Sequence, residues 1–187
     1  MRTNRDKLEF YFLAAFLVLT RLADIIATYY VTPDLARETN PLVSVLGQGW
    51  LPLIGVQVVL VAAVIVLNYY ALFKITVAHP TQRGFSLRDF ATTYYLGQKQ
   101  NWLTLLYKLP HRWTVFVRVF GFCLPRILIA VGILVSVSST LLVVSDGYRD
   151  LYSTFRPALY VIIVVIALYY YRDFFKVEYA VYNSIRQ

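Results

Sequence analysis

Four apolar runs constrain this chain more than anything else in it. They lie at roughly 8–31, 52–73, 114–145 and 156–171, and as helices each is long enough, or nearly so, to cross about 30 Å of hydrocarbon. The last is the shortest and needs its tyrosines, Tyr169, Tyr170 and Tyr171, at the interface. The alternative is a buried helix of a soluble core, but 187 residues cannot bury four such helices. Only 15% of the residues are charged, against about 25% in soluble domains. The expected fold is all-α, a single polytopic membrane domain over 1–187 with four transmembrane helices.

The net charge of +8 would suggest nucleic acid in a soluble protein. Here its placement matters more. Arg2, Arg5 and Lys7 precede the first run, six basic residues from Lys74 to Arg112 lie between the second and third, and Arg172, Lys176 and Arg186 follow the fourth. The other two loops hold only Arg37 in one and Arg149 and Arg156 in the other. The positive-inside rule then puts both termini and the middle loop in the cytoplasm, with the chain in the cell membrane. All five polar segments agree with an even number of spans. The expected partner is the lipid bilayer rather than nucleic acid. The basic N-terminus followed by apolar residues mimics a signal peptide, but the run is too long and holds Arg21 and Asp24, so it reads as a retained span. A lone cysteine, Cys123, allows no intrachain disulfide and reads as packing.

The middle segment, about 84–110, has helical apolar spacing. Ser86 and Asp89 resemble a capping box ahead of Leu87, Phe90, Ala91, Tyr94 and Tyr95, and Gly97 can end that helix. Asn101 can cap a second short helix carrying Trp102, Leu105, Leu106 and Leu109 before Pro110. Flanking lysines and arginines give the pattern of one or two amphipathic helices lying in the membrane surface; a docking surface for a partner helix is the alternative. The tyrosine pairs 29–30, 69–70 and 94–95 and the 169–171 cluster read as an aromatic belt. His79 and His111 read as interfacial residues.

Charges inside the spans need partners or a wet cavity, since each costs about 2.5–3.5 kcal/mol at a helix centre on insertion scales. Leu17, Arg21, Asp24 and Thr28 share one helical face of the first span. Glu38 and Asn40 follow in the outer loop, and Gln57 lies in the outer part of the second span. Together Asp24, Thr28, Glu38, Asn40 and Gln57 form a candidate polar site, with oxygens suited to a hard cation or to passing a proton. The bland readings are an i,i+3 ion pair between Arg21 and Asp24, and a solvated or helix-capping Glu38. In the third span Arg118 is shallow enough to snorkel, whereas Arg126 is deep and needs a facing helix or cavity, with Asp24 as one candidate partner. Gly132, Ser136 and Thr140 form a small-residue stripe suited to helix packing. No HExxH, GxSxG or histidine cluster occurs, so metal and cofactor stay unknown.

Asp24-x-x-x-Thr28, then Pro33-Asp34, then Glu38-x-Asn40-Pro41-Leu42 resembles a pattern in a domain family of unknown function, found in small multipass membrane proteins of bacteria and archaea. The resemblance covers the first two spans and their loop. It implies a prokaryotic membrane protein built on that helix hairpin, and no activity. Three functions are expected in order: a non-enzymatic accessory or scaffold component acting on a protein partner or as a homo-oligomer; a cation- or proton-coupled binding or transport module; and an intramembrane enzyme acting on lipid, with Asp24 and Glu38 as acid and base.

Overall fold

A computed structural model describes residues 4–35 and 49–185. The order is α1 (Asn4–Val31), α2 (Trp50–Tyr69) with a π-helical turn at Tyr70–Lys74, α3 (Leu87–Leu96), a 3₁₀ turn at Trp102–Leu106, α4 (Trp113–Val144) and α5 (Asp146–Ser184). No strand occurs among the described residues. Four helices are long and apolar enough to cross a membrane, and at most 17% of the apolar stretch of any of them is buried within the chain. Their outward residues are large and apolar, as at Leu22, Ile26, Val58, Val59, Val161 and Val165. A water-facing bundle would not expose four apolar helices this way; this is a multi-pass membrane protein of all-α architecture.

The helices run up and down. Phe10 of α1 meets Phe73 beyond α2 with ring centroids 5.6 Å apart, and Tyr29 meets Trp50 at 5.6 Å. Ser138 and Tyr148 share a hydrogen bond of 2.8 Å across the α4–α5 turn. The start of α1, the end of α5 and the middle segment therefore lie at one end of the bundle, the termini end, and the end of α1, the start of α2 and the α4–α5 turn lie at the other, the hairpin end.

α1, α2 and α5 all pack on α4, and two glycines set how closely. A Cβ on Gly121 would stand 2.3 Å from Ala71 Cβ and 2.8 Å from the Leu67 carbonyl oxygen. A Cβ on Gly132 would stand 2.6 Å from Arg21 Nη2 and 3.0 Å from Thr20 Cβ. Backbone approach of this kind is how helices associate where lipid removes the hydrophobic drive between them.

The middle segment folds onto the bundle. Ser86 Oγ accepts from the Asp89 N–H at 3.2 Å, and Gly97 ends α3 at φ 80°, a conformation that favours glycine. Asn101 Oδ1 accepts from the Leu103 N–H at 3.1 Å, but what it starts is a 3₁₀ turn rather than an α-helix. The apolar face of α3 is not turned to lipid: Phe90, Tyr94 and Tyr95 are buried against Val115, Val119, Phe174, Phe175 and Tyr182. α5 causes this. It continues as helix well past its apolar run and presents Phe174, Phe175 and Tyr182 to α3, so the helix that docks on α3 belongs to the same chain. Apolar side chains of the middle segment and the start of α4 that do face outward include Trp102, Leu103, Leu106, Tyr107, Leu109 and Trp113. Tyr94, Tyr95 and Tyr171 thus belong to packing, whereas Tyr29, Tyr30, Tyr69, Tyr70 and Tyr169 remain exposed as a belt requires.

Candidate functional site

Two polar clusters are built into the bundle, one at each end. The hairpin end holds a cavity of about 570 Å³. α1 contributes Asp24 and Thr28, α2 contributes Trp50 and Gln57, α4 contributes Ser139, and α5 contributes Arg149, Tyr152 and Arg156. Ile25, Leu53, Val135, Leu142 and Val143 form its apolar walls. Three residues expected to form a polar site, Asp24, Thr28 and Gln57, are brought together here. Glu38 and Asn40 lie outside the described residues.

Arg21 organises the α1 side. Its Nη1 lies 3.6 Å from Asp24 Oδ2, and its Nη2 donates to the Leu128 carbonyl at 2.7 Å over the bare backbone of Gly132. The glycine of the small-residue stripe therefore serves a contact within the chain. Ser136 Oγ is buried without a hydrogen-bond partner, and Thr140 donates to the Ser136 carbonyl at 2.8 Å. Across the cavity, Arg149 Nη1 lies 3.1 Å from Asp146 Oδ1, and Arg156 Nε donates to the Tyr160 hydroxyl at 3.2 Å. Gln57 Oε1 is buried with no donor reaching it. Arg149, Tyr152 and Arg156 were missed at the sequence level because they precede or begin the fourth apolar run; their signal was the pair of arginines seven residues apart on one helix face.

Arg126 does not reach Asp24. It pairs with Glu9, donates to the Phe122 carbonyl at 2.6 Å and lies 3.7 Å from the Phe122 ring centroid. Helical side chains lean toward the helix N-terminus. α1 and α4 run the same way, so Arg126 leans back to the level of Glu9 and away from Asp24. Glu9 was readable as the first run's other carboxylate.

The termini end holds a closed charge network. Arg118 Nε lies 2.9 Å from Glu178 Oε1, His79 Nε2 lies 3.1 Å from Glu178 Oε2, and Arg118 Nη1 donates to the Ala71 carbonyl at 2.5 Å. Arg118 is thus tied to a buried carboxylate rather than snorkelling, and His79 joins it instead of lying free at the interface. The His79 ring stacks on Phe90 with centroids 6.1 Å apart. Each Glu178 oxygen has a partner within the chain, so the network fastens the end of α2, the segment before α3, α4 and α5 to one another. Tyrosines add to it: Tyr179 donates to the Phe85 carbonyl at 2.8 Å, Tyr182 to Gln82 at 2.5 Å and Tyr171 to Leu105 at 3.0 Å. Burial pushes the Tyr94 phenol well above its usual range. His111 Nδ1 donates to the Tyr95 carbonyl, 3.0 Å away, and Cys123 is buried. Among the described residues no three His, Cys, Asp or Glu side chains group as a metal site.

No protein-family model, curated protein or solved structure matches the chain. The functional reading therefore rests on these two clusters. Among the described residues, it is the hairpin-end cluster that lines a cavity.

Proposed function

We propose that this protein sits in the cell membrane with both termini and the middle segment in the cytoplasm, and acts as a binding or transport module whose site opens on the outer side. The observation that carries the reading is convergence. Asp24, Thr28, Gln57, Arg149 and Arg156 come from three separate helices and line one cavity of about 570 Å³, a size typical of small-ligand sites, about 300–1,000 Å³. The distribution of Lys and Arg supports the orientation. An accessory or scaffold role, working on a protein partner or as a homo-oligomer, has less support, because Gly132 is already covered by Arg21 and Thr20. A lipid-active enzyme with Asp24 and Glu38 as acid and base has the least, because Asp24 is already paired with Arg21 at 3.6 Å.

Labelling tests the reading. In a Cys123→Ser background, Ser139→Cys is treated with a membrane-impermeant thiol reagent on right-side-out membranes. Labelling comparable to that of Asp146→Cys supports a water-filled outward cavity. A thiol at 139 that stays unlabelled while the one at 146 reacts removes it.

A further inference from the structure

We infer that the hairpin-end cavity takes a compact solute or headgroup carrying an oxyanion, carboxylate or phosphate, together with an N–H or O–H donor. This rests on the cavity being the binding site proposed above.

The charges point to an anion. The described lining residues hold one carboxylate, Asp24, and two guanidiniums, Arg149 and Arg156. Asp24 already has Arg21 at 3.6 Å, and Arg149 has Asp146 at 3.1 Å while its Nε and Nη2 donate to the Leu142 and Val143 carbonyls at 3.1 and 3.3 Å. Arg156 has no carboxylate within ion-pair distance among the described residues; its polar contact is the Tyr160 hydroxyl. Among the described residues the unbalanced charge in the cavity is therefore positive. A hard cation wants six to eight oxygens around it, and two guanidiniums on the wall oppose that. A guanidinium presents a planar fork that matches a carboxylate or phosphate.

The opposite wall asks for a donor. Gln57 Oε1 is buried and receives none within the chain, and an orphaned buried acceptor is costly until something donates to it. Asp24 stands on the same side of the cavity. An oxyanion held by Arg156, with the charge of Arg149 beside it and an ammonium or hydroxyl on the same molecule directed to Gln57 and Asp24, satisfies both walls at once. The volume also exceeds what a bare ion needs. Because the cavity has apolar walls and lies at the end of membrane helices, the anion is either a free solute or the headgroup of a lipid.

The test uses the purified full chain. Phosphoethanolamine, β-alanine and ethanolamine are titrated in detergent. The Ser139→Cys protein, in the Cys123→Ser background, is labelled in nanodiscs of phosphatidylcholine with or without phosphatidylethanolamine, which differ in the headgroup N–H donor. Binding of phosphoethanolamine or β-alanine but not ethanolamine, weakened at least tenfold by Arg156→Gln and less by Arg156→Lys, supports a soluble ligand. Silence of the soluble probes with protection of the thiol by phosphatidylethanolamine supports a headgroup. Binding of ethanolamine alone, left unchanged or strengthened by Arg156→Gln, overturns the inference. A thiol that labels but that no oxyanion protects, with no binding in detergent, also overturns it while the outward cavity stands. A thiol that never labels takes down both.

Discussion

Asn68 of α2 donates its side-chain amide to the carbonyl oxygen of Gly121 on α4, 2.7 Å away. Gly121 is the i−4 residue of Pro125, and proline has no N–H to give that carbonyl. A polar residue in an otherwise apolar helix thus repairs a hydrogen bond that a buried proline removes from its neighbour. In a bilayer no water does this. We expect Asn68→Leu to destabilise the bundle by about 1–3 kcal/mol, the cost of an orphaned buried acceptor. Combining it with Pro125→Ala should recover part of that loss, because the alanine N–H restores the helical bond. Unfolding of the four proteins in a double-mutant cycle checks this; strict additivity would refute it.

The two glycines of α4 should differ in tolerance. At Gly121 an added methyl meets the Leu67 backbone oxygen and Ala71 Cβ, neither of which can rotate away, whereas at Gly132 it meets Thr20 Cβ at 3.0 Å and, closest, the end of the long Arg21 side chain, which can shift at the cost of its bond to Leu128. Overpacking costs about 1–3 kcal/mol, occasionally more. Gly121→Ala should fall at or above the top of that range and Gly132→Ala below it. Thermal midpoints in detergent would show the order, and the reverse order would contradict this packing.

Glu178 is 4% exposed and binds Arg118 and His79 together. Removing one partner of a buried ion pair typically costs about 3–5 kcal/mol. Glu178→Leu should loosen the segment before α3 and make Arg83 and Arg88 faster sites for trypsin by an order of magnitude or more. Wild-type cleavage rates would mean the network does not hold that segment.

Asp89, at the start of α3, is held below the usual carboxylate range by its hydrogen bond with Lys99, 3.0 Å away, which outweighs the opposing effect of desolvation, with Ser86 adding a smaller lowering. A lowered folded value means the contribution is present above the carboxylate's ordinary range and is lost as pH falls through the lowered value. Lys99→Met should raise the Asp89 titration toward its ordinary value, read by NMR of the labelled carboxyl. No movement would show that Lys99 is not its partner in solution.

Trp102 and Trp113 are exposed beside Leu106 and Leu109 at the termini end. In a Trp50→Phe background, lipids brominated near the headgroup should quench the remaining tryptophan emission more than lipids brominated deep in the chain. Equal or absent quenching would place this rim in water.

The residues differ in how much of this was legible. Length and apolarity alone determine that the four runs are membrane helices, because hydrocarbon leaves a chain few ways to satisfy its backbone. Ser86, Gly97 and Asn101 announced their turns, since capping is local chemistry between near neighbours. Asp24, Thr28 and Gln57 could be grouped from depth alone, because helices of known direction place residues at computable levels. Lateral neighbours were beyond reach. Nothing local says that Arg126 takes Glu9 rather than Asp24, that Asn68 answers Pro125, that Glu178 gathers Arg118 and His79, or that α3 turns its apolar face to α5. Those choices depend on which helices adjoin and how they are rotated, and close packing at Gly121 and Gly132 decides both. The sequence by itself determined the class of protein and the depth of each polar group. Only the tertiary structure decided which groups meet, and among the described residues it added Arg149 and Arg156 to the cavity that Asp24, Thr28 and Gln57 line.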